Sequence, residues 1–242
     1  MKKIELQNVR FAYDEVATLE NITLYVNEGE LVSIVGPSGV GKTTLFNLIA
    51  GILPVREGRV LVDGVENPRG KVSYMLQKDL LLEHKTILGN VILPLILRGV
   101  KKKEAIQQAD GLLEEFGLSN VRDAYPHELS GGMRQRIALL RTYLFGQDIF
   151  LLDEAFSALD EITKMTLHDW YLGIHKQLKL TTLLITHSID EAVELSDRIY
   201  VLNHKPGQIV AELSMDWKEV ADPEMAKLHY KQEILGLLGL KK

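Results

Sequence analysis

The chain has no cysteine. That absence removes disulfides, thiolate metal sites and cysteine nucleophiles together, and leaves a reducing compartment permitted. Long apolar runs are missing as well: the longest, from Val91 to Leu97, falls far short of the ~20 residues a membrane-spanning helix needs and contains Pro94. From Met1 to Val9 polar and apolar residues alternate, so no secretory signal core is expected there. Positive charge is not in excess. A formal net charge of -5 and a pI near 5.8 argue against nonspecific nucleic-acid binding as the main activity. Neither an internal repeat nor a low-complexity linker is present. What remains is 242 residues, 46% hydrophobic and 25% charged, enough to bury the core of one α/β domain, alone or with a subdomain.

Hydrophobic periodicity divides the chain. Ile4 to Phe11 and Ile22 to Val26 alternate as half-buried strands, and Leu31 to Val35 is continuously enough apolar for a sheet interior. Thr43 to Ala50 predicts a helix. Short strands follow at Arg59 to Val62 and Val72 to Met75, with Asp63-Gly64 as a turn between them. From about Lys78 to Arg141 the period becomes helical, with Lys101 to Phe116 amphipathic and Pro126 breaking the chain before a further helix. Ile149 to Leu152, Thr182 to Ile185 and Ile199 to Leu202 restore buried strands between helices, which predicts a mostly parallel sheet. The tail from Asp222 reads as a helix, with Pro223 in its first turn and Met225, Leu228, Ile234, Leu235 and Leu238 along a face expected to pack on the core.

Three segments carry phosphate chemistry. Gly36-Pro37-Ser38-Gly39-Val40-Gly41-Lys42-Thr43 matches G-x-x-x-x-G-K-[ST] between a strand and a helix, the context of a P-loop. Glycines let backbone N–H groups wrap phosphates, Lys42 neutralises the β and γ phosphates, Thr43 offers a hydroxyl to Mg²⁺, and Ser38 and Thr44 add contacts. Asp153 and Glu154 stand at the carboxyl end of a buried strand, where α/β sheets place ligands; Asp153 suits Mg²⁺ and Glu154 suits an attacking water. Leu129-Ser-Gly-Gly-Met-Arg-Gln-Arg136 is a second glycine-rich turn opening a helix, hence a second anion cradle. One nucleotide needs one cradle per chain, so the second is expected to grip a nucleotide held by another copy. Arg134 and Arg136 are open to a solvated or a paired reading.

In this order and spacing the motifs closely resemble the ATP-binding-cassette (ABC) ATPases over nearly the whole chain. The resemblance implies a P-loop NTPase core with a mostly parallel sheet, an N-terminal antiparallel β subdomain and an inserted α-helical subdomain. Residues 1–77 and 142–215 would form the nucleotide-binding core, 78–141 the helical subdomain and 216–242 a helical tail. It further implies ATP and Mg²⁺ as cofactors, Gln77 as the Q-loop amide reaching Mg²⁺ or the water, and His187 as the switch histidine on the γ-phosphate. Tyr13 would stack on adenine, with Phe11 as competitor. Ser130, Gly131 and Gly132 would bind the γ-phosphate in trans, and Asp160 of the Ser157–Asp160 D-loop would cross the dimer interface or simply cap a helix. Departures are small. Ala155 stands where proline is common, which leaves that turn a freer φ, and Leu140 and Thr142-Tyr143 are bulkier than usual.

The signature, the D-loop and Thr186-His-Ser-Ile-Asp-Glu-Ala look most like importers of the nitrate, sulfonate and taurine group, which includes thiamine-precursor transporters. The implied assembly is a head-to-tail homodimer on two transmembrane permease subunits at the cytoplasmic face of the membrane, fed by an extracytoplasmic solute-binding protein and without nucleic acid. An exporter ATPase and a soluble, non-transport ABC ATPase are the alternatives. Leu80, Leu81, Leu82, Ile87, Val91, Ile92, Leu95 and Ile96 exceed what a thin subdomain readily buries, so part of this segment is expected to form a docking surface. Lys101-Lys-Lys103 reads as a solvated helix start.

Overall fold

The computed structural model describes residues 1–66, 68–157 and 159–240. The alternating N-terminal segments form β1 (Lys2–Tyr13) and β2 (Val16–Asn27), a long antiparallel hairpin. The fully buried β3 (Leu31–Val35) then leads into the glycine loop and α1 (Lys42–Ile49). β4 (Glu57–Val62) pairs with β1, and the short β5 (Val65–Glu66) folds back on β4, giving an antiparallel sheet in the order β2-β1-β4-β5. The Asp63-Gly64 turn therefore closes a β4–β5 hairpin instead of leading to the strand at Val72–Met75. Both residues have positive φ, 53° and 74°, the left-handed pair that a tight two-residue hairpin demands.

β6 (Ser73–Met75) belongs to the second sheet. After it come α2 (Ile87–Val91), α3 (Leu93–Leu97), α4 (Lys102–Glu115) and α5 (Gly131–Tyr143). Next are β7 (Ile149–Asp153), α6 (Glu161–Leu178), β8 (Thr181–Thr186), α7 (Ile189–Leu195) and β9 (Arg198–Asn203). β10 (Gln208–Ser214) and α8 (Pro223–Leu237) complete the described elements. The second sheet runs β10-β9-β3-β8-β7-β6, parallel throughout except for β10 on β9. β3, β7 and β8 are buried on both faces, as central parallel strands must be, and their sequences are correspondingly apolar. β10 escaped the sequence reading because an antiparallel edge strand needs only partial burial, and its residues are half-buried or exposed.

The main core lies between the two sheets: Ile4, Leu6, Val26 and Val60 from one meet Val32, Ile34, Leu183 and Ile185 from the other, with Phe46 and Ile49 of α1 wedged between. A second core belongs to the helices from α2 to α5. Here the apolar surplus expected of the segment from Leu80 to Ile96 is mostly absent. Ile87 and Val91 are 0% exposed, and with Leu81, Ile92 and Leu95 they pack on Ala105, Ala109 and Leu113 of α4 and Ile137 and Leu140 of α5. The small residues of α4 let it approach closely, so the subdomain buries what looked like surplus. Of the apolar side chains from Leu80 to Leu97, only Leu80, Ile96 and Leu97 stand exposed, Leu97 at 73%. The tail departs in the opposite sense: Ile234 is buried, with Tyr230, Leu237 and Leu238 packed beside it on the cluster of Val35, Ile199 and Val201, whereas Met225 and Leu228 face outward.

Candidate active site

β3, β6, β7 and β8, which lead into Gly36, Gln77, Glu154 and His187, all end at the carboxyl edge of the parallel sheet. Gly36 follows β3 so closely against β9 that a Cβ there would lie 2.2 Å from the Leu202 carbonyl oxygen. Gly41, at φ +108°, is the N-cap of α1 and supplies no side chain to its first-turn N–H groups, while nothing lies within 4 Å of the position a Cβ would take on Gly39. With no acidic residue in that first turn, the positive helix end is open to an anion. Pro37, Ser38 and Thr43 are exposed on the loop, Thr44 is buried, and Val40 anchors the loop in the core. The Lys42 ammonium is buried and donates to the carbonyls of Gly36 (2.8 Å) and Pro37 (3.0 Å). Burial lowers its pKa, opposed by the Glu154 and Asp153 carboxylates. It forms no salt bridge among the described residues, so its charge and that of the helix end favour a polyanion together.

Asp153, at the end of β7, accepts from the Thr43 hydroxyl at 3.2 Å. The sequence reading missed a second partner: Tyr74 of β6, whose hydroxyl donates to the same Asp153 Oδ2 at 3.4 Å while its ring stands edge-on to Phe46. Burial raises the Asp153 pKa, and the Thr43 hydroxyl is the largest influence opposing it. The Tyr74 phenol is pushed well above its ordinary range by burial and by the Asp153 charge. Glu154 takes φ +49° in the turn after β7, a strained value for a non-glycine residue, and its N–H donates to the Ile185 carbonyl at 2.8 Å. The turn lacks proline but is pinned by other means. Ser157 N and Oγ both donate to the Glu154 carbonyl, and the buried Gln135 amide of α5 donates to the Ala155 carbonyl at 2.6 Å.

On the Glu154 carboxylate two other nominated residues meet. Gln77 Nε2 donates to its Oε2 at 2.9 Å, and His187 Nδ1 lies 3.3 Å from the same oxygen. Tyr13, 48% exposed, stands edge-on to the buried Phe11, which leaves Tyr13 as the aromatic free to stack. Its hairpin borders the P-loop, since Leu19 and Thr18 of β2 lie against Gly41. The segment after Gln77 is held by two arginines of α5 that sequence left unassigned or open. Arg134 pairs with Asp79 at 3.2 Å, and Arg141 donates to the carbonyls of Asp79 and Leu80. Arg136 lies over the Trp170 ring.

Ser130, Gly131, Gly132 and Asp160 are not brought to this cluster. No hydrogen bond or ion pair among the described residues joins residues 129–136 to residues 36–44. Ser130 caps α5, accepting from Met133 N, and remains exposed, while Asp160 caps α6, accepting from Thr163 N at 3.1 Å. Gly132 also has a packing reason: a Cβ there would lie 2.4 Å from Thr163 Cγ2 of α6. The two glycine-rich helix ends are thus not joined by any hydrogen bond or ion pair among the described residues.

The donors also fit a small, hard cation. Among the described residues no cluster of three or more acidic or histidine side chains could cage a metal alone. Asp153 and the Thr43 hydroxyl, 3.2 Å apart, are oxygen donors of the kind Mg²⁺ prefers, while the Gln77 amide lies on Glu154.

Comparison with known proteins gives the family. The family described as "ABC transporter" matches residues 19–157. The chain belongs to the ABC transporter family. Among relatives of this ABC ATPase, the formylaminopyrimidine import ATP-binding protein ThiZ of Halalkalibacterium halodurans is 38% identical over 97% of this chain and 96% of its own. The taurine import ATP-binding protein TauB of Rhizobium johnstonii is 39% identical, over 98% and 96%. Among solved structures, a dimeric post-hydrolysis state of the ATP-binding cassette MJ0796 bound to ADP and Pi is 29% identical, with a TM-score of 0.74 over 88% of this chain and 98% of that one. The ABC ATPase fold, ATP hydrolysis, and ATP with Mg²⁺ as cofactors are those of its family.

Proposed function

We propose that this ABC ATPase is the energy-coupling subunit of an importer of the nitrate, sulfonate and taurine group. It works as a head-to-tail pair on two transmembrane permease subunits at the cytoplasmic face of the membrane, with a solute-binding protein delivering cargo outside. No helix among the described residues is long and apolar enough to cross a membrane, so the transport path lies in the partners. The observation that carries the reading is the pair of unconnected cradles, one around Lys42 and one capped by Ser130.

In this reading Tyr13 stacks on adenine, and residues 36–44 wrap the phosphates. Lys42 exchanges its carbonyl partners for phosphate oxygens. Asp153, Thr43 and Gln77 hold Mg²⁺, which when bound offsets phosphate charge. Glu154 orients the attacking water and accepts its proton; His187 contacts the γ-phosphate; Ser130 and the N–H groups of Gly131 and Gly132 reach it from the second copy, with Asp160 at the interface. Residues 78–141 move as the helical subdomain against the core of residues 1–77 and 142–215, with 216–242 as the tail. Gln77 leads directly into a groove of about 250 Å³ lined by Tyr74, Leu76, Leu80, Pro94, Leu97 and Arg141, where a permease segment docks.

The trans arrangement has a direct test. Lys42→Ala chains mixed with Ser130→Arg chains should regain ATPase, because one composite site then holds two intact cradles. Mixed dimers that form yet show no more activity than either parent would exclude it.

A further inference from the structure

The backbone on both sides of His187 hangs on one buried carboxylate. Glu191, in the first turn of α7 and 3% exposed, accepts a hydrogen bond from the Thr186 hydroxyl on Oε2. Its other oxygen lies 3.3 Å from His168 Nε2 of α6. An ionised carboxylate only accepts, so that nitrogen is the donor. The Glu191 N–H donates to Ser188 Oγ at 3.2 Å, and the Ser188 N–H donates to Thr186 Oγ1 at 3.0 Å. Residues 186 and 188 are therefore tied to each other and to Glu191, while the His187 side chain between them stays 57% exposed and reaches Glu154. Burying a carboxylate is costly unless several donors satisfy it. A helix cap alone would not require one, because Ser188 already caps α7.

We propose that Glu191 is a positioning residue for His187, acting through Thr186 and anchored by His168. It fixes the β8–α7 turn so that the imidazole is presented in one orientation. The anchor adds a connection: His168 packs edge-on against Phe156 at 4.9 Å and sits on α6, the helix that Asp160 caps. A shift at the start of α6 is thereby transmitted to the turn that carries His187. Small misplacement of such a group is expensive in rate, whereas nucleotide affinity, set by the P-loop, is untouched.

The inference rests on the reading of His187 as a γ-phosphate contact, and the test separates the two. Steady-state ATPase and fluorescent-ATP affinity are measured on His187→Ala, Glu191→Ala and the double variant. The expected result is a kcat loss of roughly tenfold to a hundredfold for Glu191→Ala with ATP affinity within about twofold of the parent. Because Glu191 acts through His187, the double variant should be no worse than His187→Ala. Glu191→Gln, which still accepts from Thr186, should recover most activity, and Thr186→Ser should do so where Thr186→Val does not. Additive losses in the double variant, or wild-type kcat in Glu191→Ala, overturn the inference while leaving His187 in place. Wild-type kcat in His187→Ala overturns the underlying reading instead. If Glu191→Ala does not fold, Thr186→Val combined with His187→Ala completes the same cycle with the carboxylate retained.

Discussion

Glu154 is held from several directions before any nucleotide arrives: its backbone by Ile185 and Ser157, its carboxylate by Gln77 and His187. Glu154→Gln keeps the shape and removes the base, so ATP should bind and hold two chains together without being consumed. Light scattering with ATP and Mg²⁺ should report a stable dimer, and a variant that stays monomeric at saturating ATP would contradict the role. Tyr74→Phe is subtler. It deletes one hydroxyl 3.4 Å from Asp153 and keeps the ring against Phe46. The Mg²⁺ concentration for half-maximal activity should rise by no more than about tenfold, the low end for an outer-shell partner, and Mg²⁺-dependent nucleotide affinity measured by calorimetry should shift in parallel. The residues legible in the sequence were those whose chemistry depends on contiguous spacing, such as Lys42 with its glycines or Asp153 beside Glu154. Tyr74 and Arg141 were invisible because each works on a partner far away in the chain, and Glu191, though it stood in the quoted segment around His187, had no role there because its burial could not be seen.

Strands were legible where burial leaves a clear pattern, on one face in β1 and β2 or on both faces in β3, β7 and β8, whereas the half-buried edge strand β10 was missed. Another failure came where burial depends on a neighbour's size. Ile87 looked available because the thickness of the packing partner could not be seen, yet Ala105 and Ala109 of α4 allow an approach that encloses it. The contrast is testable. Ile87→Asp places an unpaired charge in the subdomain core and should destabilise it by on the order of 4 kcal/mol. Leu97→Asp, on an exposed position, should leave melting temperature and detached ATPase near the parent while weakening permease capture. Equal melting temperatures for both variants would show that the subdomain core is not where the structure puts it.

Across the whole molecule, one lysine spans both sheets. Lys3 of β1 is nearly buried, and its ammonium donates to Asp63 in the β4–β5 turn at 3.0 Å and pairs with Asp148, just before β7, at 3.3 Å. The Asp63 hydrogen bond is the largest influence raising its pKa above the ordinary 10.5. A raised pKa in the folded state means tighter proton binding there than in the unfolded chain, so the contribution to stability is complete below pH 10.5 and fades as pH climbs through the higher value. Lys3→Met should therefore lower urea resistance by a constant amount at neutral pH, and the gap to the parent should close only in strong alkali. A gap that closes between pH 6 and 9 would assign the effect to another group.

α5 is capped by Ser130 and, near its other end, Arg141 grips the Leu80 carbonyl. Its 13 residues make a rod of about 20 Å, and Gln135 fastens it near the middle to the carbonyl beside Glu154. In the proposed dimer a push on the Ser130 end by a neighbour's phosphate would therefore be felt along one stiff helix, both at the turn beside Glu154 and at the Leu80 carbonyl.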